Sequence, residues 1–212
     1  MAGNAVGKVA GNAVGNAVGK RTCAAGAASV ASTRMSSPAP PPAPPPASSP
    51  RERPPLVADE RTQLLGWLDL QRDICRWKAE GLDEEQAHRP VLPSSPLVTV
   101  AGLISHLRWV EHTWFEVIFL GRPAGDNPQF RDAPEDGDML VADVPLARLL
   151  EEYRRQCAVS REIVAAHSLD DVGVGRPATL RWMLLHMLEE TARHAGHLDA
   201  VRELVDGRVG YW

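Results

Sequence analysis

Every aromatic residue of this chain lies beyond residue 55: all eleven Phe, Trp and Tyr side chains fall within the last 157 of 212 residues. A segment without large apolar side chains cannot bury enough surface to offset the entropy lost on ordering it, so the fold must be built from residues 56–212. A unit of that length buries about 68–70% of its unfolded surface and needs neither a disulfide nor a structural metal to hold together. Any metal in it would serve function.

Residues 1–55 read as a disordered Gly/Ala- and Pro-rich tail. Residues 3–20 repeat a four-residue unit led by glycine (GNAV-GKVA-GNAV-GNAV-GK), a period too short for a solenoid. Gly15, Gly19 and Lys20 lack both the wider glycine spacing and the Ser or Thr that a phosphate loop requires. Glycine every fourth residue also weakens the amphipathic helix of a transit peptide. Ten of the eighteen prolines then fall in residues 36–55 and favour extended polyproline II. The expectation is a dispensable tail or an over-extended start, with the working protein beginning near Met35 or later.

The formal charge of −4 divides into +5 for residues 1–55 and −9 for residues 56–212. An acidic domain lacks the clustered Lys and Arg that a nucleic-acid backbone demands, so no nucleic-acid partner is expected. No apolar run approaches 18 residues, which excludes a membrane partner. Cys23, Cys75 and Cys157 are odd in number, far apart and without a CxxC, as expected of reduced thiols in a cytoplasmic protein.

Four segments carry apolar residues at helical spacing. The first runs from Glu60 to Lys78 with Gly81 as its stop, and the second from a Thr99 cap through Leu120. The third opens at Asp143 with Pro145 in its first turn and continues through Val164; the fourth spans Thr179 to Val205. No alternating strand of useful length is present, so the expected class is all-α, a four-helix bundle with long connections. Residues 121–143 are longer than a bundle turn needs. They are expected to cross the bundle or cover it, which disfavours a simple up-down order.

At 100° per residue, with Glu190 as zero, Met183, His186, Met187, His194, His197, Val201 and Leu204 fall within about 60°. Four ionisable groups would then share a core stripe. A buried carboxylate costs several kcal/mol unless it is paired or bound to a cation, so Glu190 demands an explanation. It could pair with Arg193 or His194 at the surface. Alternatively, Glu190 and His194 at i, i+4 could reach one metal ion, with His106 of the second helix as the available third ligand. Two histidines and one carboxylate with an open fourth position describe a catalytic zinc site. On the second helix, His106 borders the core, whereas His112 lies opposite and reads as solvated.

The stretches GLISHLRWVEHTWFEVIFLG (102–121) and LRWMLLHMLEETARHAGHLDAVRELVDG (180–207) resemble the actinobacterial family typified by the Streptomyces mini-circle protein. That family belongs to the DinB-like superfamily of metal-binding four-helix bundles, and the similarity covers roughly residues 56–210. The superfamily's usual ligands are one His on the second helix and a His-xxx-His on the last; Glu190 stands at the first position of that pair. The mycothiol-dependent maleylpyruvate isomerase branch shares this departure. The resemblance therefore implies His106, Glu190 and His194 as metal ligands, with His186 and His197 as groups that orient ligands or carry protons.

The resemblance implies a metal-dependent enzyme that joins a low-molecular-weight thiol, mycothiol, to a small electrophile, as an S-transferase or an isomerase. The metal would be divalent: zinc, with nickel, iron and manganese as alternatives. A metal-dependent hydrolase and a non-catalytic metal-binding stress protein are the competing readings. Exposed Trp side chains would line either a homodimer interface or a substrate cleft.

Overall fold

The computed structural model describes residues 52–130 and 136–210; the reading of residues 1–51 as a disordered tail lies outside them. Five α-helices follow one another: α1 (Glu60–Ala79), α2 (Glu84–His88), α3 (Val100–Glu111), α4 (Leu146–Ala165) and α5 (Leu180–Asp206). α3 continues into a π-helical segment, His112–Phe119. Among the described residues the only β feature is an isolated bridge between Val172 and Thr179. The fold is all-α.

Side-chain caps start three of the four long helices. Asp59, Thr99 and Thr179 accept from the backbone N–H groups of Thr62, Gly102 and Trp182, satisfying donors that the first turn leaves free. Gly207, at φ +78, ends α5 in the left-handed conformation that glycine adopts without strain. Two boundaries differ from expectation. The short α2 forms because Asp83 and Gln86 make a reciprocal capping box. α4 starts at Leu146 instead of Asp143: Pro145 takes the cap position, and the Leu146 N–H donates instead to the Glu84 carboxylate of α2 (3.0 Å).

Pairs of contacts set the helix directions. Arg181 of α5 bonds Glu60 (2.7 Å) and Arg202 bonds the Lys78 carbonyl (2.6 Å), so α1 and α5 run the same way. Arg61 reaches the Val164 carbonyl (2.8 Å) while Asp69 meets Arg161 (3.0 Å), which makes α4 antiparallel to α1. His106 meets Glu190 while Trp114 meets Trp182, so α3 is antiparallel to α5. The order is up-down-down-up, and α3 and α4 point the same way. A connection between parallel neighbours has to travel back along the bundle, which is why residues 120–145 are long.

The π-helical segment sets which face of the second helix is buried beyond His112. With hydrogen bonds to i+5 each residue turns through less than 100°, so Phe115 and Phe119 enter the core while Trp114 and Val117 are only half-buried. The carbonyls of Ile118 and Phe119 accept from the N–H groups of Gly175 and Val174 (2.9 and 2.8 Å). That approach requires glycine: a Cβ at Gly175 would stand 2.7 Å from the Val117 oxygen.

The buried face of α5 also differs from the expected stripe. Met183, Leu184, Met187, Thr191, His194, Ala195, Leu198, Val201, Arg202 and Val205 are buried, an arc whose centre lies about 75° from Glu190 at 100° per residue. His186 and Glu190 therefore lie on its border, and His197 and Leu204 are exposed. The displacement arises because Leu184, Ala195 and Leu198, about 80–140° from Glu190 at 100° per residue, are buried as well, and Thr191 and Arg202 join them on that side. Arg202 is buried where it satisfies the last carbonyls of α1, those of Lys78 and Glu80.

Candidate metal centre

α3 presents His106, and α5 presents Glu190 and His194 one turn apart. Glu190 Oε1 lies 3.4 Å from His106 Nε2 and 3.1 Å from His194 Nε2, and one donor atom from each residue falls within 4.8 Å of the others. A tetrahedral ion with bonds of about 2.1 Å has edges of about 3.4 Å, so both Glu190 separations match such an edge. Two imidazole nitrogens and one carboxylate oxygen are donors suited to zinc. The three side chains are 11–20% exposed, so the cluster keeps some access to solvent.

The remaining imidazole nitrogens are engaged. His106 Nδ1 donates to Asp138 Oδ2 (2.8 Å), and His194 Nδ1 faces His197 Nδ1 at 3.2 Å. Both rings therefore turn Nε2 towards Glu190. Without a cation, hydrogen bonds from His106 and His194 hold the Glu190 carboxyl well below the usual carboxylate range, against burial. Burial pulls His106 down, but its bonds to Asp138 and Glu190 and their charges outweigh it and hold the ring at about 9. Asp138 is likewise lowered, the bond and charge of His106 overcoming burial.

The other histidines occupy distinct settings. His186 is not among the three: its ring packs against both Trp114 (4.3 Å) and Trp182 (5.4 Å, nearly parallel), which also touch each other (5.6 Å), one turn before Glu190. His197 is exposed and touches His194. His112 is half-buried, where a solvated ring was expected, because the segment after the π-helix folds over it and Asn127 Nδ2 donates to its Nδ1 (3.1 Å). Arg193 pairs with Glu189 instead of Glu190.

Asp138 had no sequence signal. It sits in a short 3₁₀ turn, Gly137–Met139, reached only by the crossover that leads back along α3. Its carboxylate is 3% exposed and also accepts from Gln129 Nε2 (2.8 Å), while its carbonyl accepts from Ser105 Oγ (2.6 Å).

Among the described residues, no helix is long and apolar enough to cross a membrane. No curated protein and no solved structure matches the chain significantly. Residues 63–207 match the family described as Mycothiol-S-transferase, and the chain belongs to that DinB-like family.

Proposed function

We propose that this protein is a metal-dependent S-transferase that joins mycothiol to a small electrophile. The observation that carries the reading is the gathering of one donor atom each from His106, Glu190 and His194 within 4.8 Å of one another, on side chains that keep partial exposure. His106, Glu190 and His194 would hold a divalent cation, zinc in the first instance. Such an ion keeps a thiol deprotonated at neutral pH, whereas a free thiol, with a pKa near 8.5, stays mostly protonated.

The protein groups then position and protonate. His106 and His194 are held Nε2-inward by their partners at Nδ1. Trp114, Trp182 and His186 form an aromatic wall one turn from Glu190, against which the electrophile would lie. The thiol sulfur forms a bond to the electrophilic carbon, and the electron pair of the broken bond leaves on the departing group, with His186 supplying its proton. His197 steadies His194 and exchanges protons with solvent. Among the described residues no thiol is placed to replace the exogenous one. Cys75 and Cys157 are buried, and burial pushes both thiols up, Cys157 to about 12.

The test is the cobalt-substituted protein. Addition of mycothiol should produce an intense sulfur-to-metal charge-transfer band, and turnover should require both metal and thiol. Turnover of an electrophile without thiol would point to a hydrolase. A cobalt spectrum indifferent to every added ligand would point to a non-catalytic site.

A further inference from the structure

The crossover between α3 and α4 does more than connect them. From Asn127 to Asp138 it carries a continuous chain of polar contacts that ends on His106. Asn127 Nδ2 donates to Thr113 Oγ1 (2.8 Å), and Thr113 Oγ1 donates to Gln129 Oε1 (2.7 Å). Gln129 Nε2 donates to Asp138 Oδ2 (2.8 Å), the same oxygen that accepts from His106 Nδ1 (2.8 Å). The donor and acceptor of each link are determined: Asn127 Oδ1 is taken by the Gln129 N–H (3.0 Å), which orients the Asn127 amide and leaves Nδ2 to face Thr113.

We propose that Asp138 is a positioning residue for the metal centre: its carboxylate, held by Gln129, fixes His106 with Nδ1–H outward and Nε2 towards Glu190, so that ion binding and docking of the crossover are coupled. Three observations carry this. The Asp138 side chain is 3% exposed, and its Oδ2 accepts from two donors. Its backbone is tied separately to α3 by Ser105, so the carboxylate is not needed merely to seat the turn. Its position on Nδ1 is the one from which a carboxylate selects the tautomer of a ligating histidine and raises its basicity.

The proposal rests on the metal-site reading above, and the experiment separates the two. Zinc affinity is measured by chelator competition for the full-length wild-type protein and for Asp138→Ala, Asp138→Asn and Gln129→Ala. Asp138→Ala should bind zinc ~10–100-fold more weakly. Asp138→Asn should lie between it and wild type, because Asn can still accept from Nδ1–H but carries no charge. Gln129→Ala should weaken binding less than Asp138→Ala. As a second readout, zinc should slow backbone hydrogen exchange at residues 136–140 in the wild type and leave it unchanged in His106→Ala, since linkage makes the coupling reciprocal. Should Asp138→Ala not fold, Asp138→Asn and Gln129→Ala, which preserve the packing, decide by the same two measurements. Wild-type affinity in the folded Asp138 variants overturns the positioning role and leaves the metal site standing. Absence of zinc binding in the wild type itself overturns both.

Discussion

Glu190 Oε1 stands 3.1 Å from His194 Nε2, one turn along the same helix. An exposed i, i+4 pair of this kind contributes only a few tenths of a kcal/mol. What distinguishes this pair is His106, arriving on the same oxygen from the antiparallel α3. If the three groups hold one ion, Ala at any of them should sharply lower the metal content of the purified protein. His167→Ala serves as the control, because that ring bonds the Ile163 carbonyl and packs on Phe119. Equal metal loss in the control would refute the assignment.

Acid should loosen the start of the crossover. Because Asn127 Nδ2 is the donor, His112 Nδ1 must accept and cannot carry a proton while the contact exists. Burial, then Arg108 and Arg122 against the opposing pull of Glu116, lower the His112 pKa from its usual 6.5. A depressed folded-state pKa means that this contribution to stability is whole above about 6.5 and is lost as pH falls through the folded value. Hydrogen exchange at residues 124–130, corrected for intrinsic rates, should therefore speed up below pH 6.5. In His112→Phe that acid-induced increase should vanish.

Thiol-dependent turnover should survive Cys75→Ala and Cys157→Ala within about twofold, because both thiols are buried with pKa values pushed up by burial. Alkylation of the folded Cys23→Ser protein should modify neither remaining cysteine. Loss of turnover in either Ala variant, without loss of folding, would show that a protein thiol takes part.

Arg72 and Glu111 form a two-pronged pair, both bonds 2.7 Å, with side chains 2% and 1% exposed. Removing one partner leaves the other charge buried, so Arg72→Ala should destabilise the protein by about 3–5 kcal/mol in urea unfolding. Replacing both, as Arg72→Met with Glu111→Leu, should recover much of that loss. A double variant no more stable than the single would show that the pair does more than neutralise itself.

Deletion of residues 1–51 should leave stability within about 0.5 kcal/mol, as expected for a segment that lacks core side chains. The cut is placed before Pro54 because that residue is buried against Gly66 of α1. A larger loss in thermal or urea unfolding would show that the tail packs.

The sequence by itself determined the helical class, three of the four long-helix starts and the stacking of Glu190 on His194. Each of these follows from local chemistry or short-range periodicity: a cap and its N–H three residues on, or Glu190 and His194 stacked by one helical turn. The length of residues 121–143 likewise announced a crossover, since a tight turn would not need them. Other features depended on tertiary packing. The π-helical segment turned Phe115 and Phe119 inwards, and the buried arc of α5 takes in Arg202 because that side chain serves the carbonyls of another helix. Asp138 reaches His106 across 32 residues only because α3 and α4 are parallel, so that the chain must retrace α3 before α4 can begin. Helix periodicity records which face of an element is apolar. It does not record which neighbour's polar groups that face must satisfy, and this is what the assembled bundle decided.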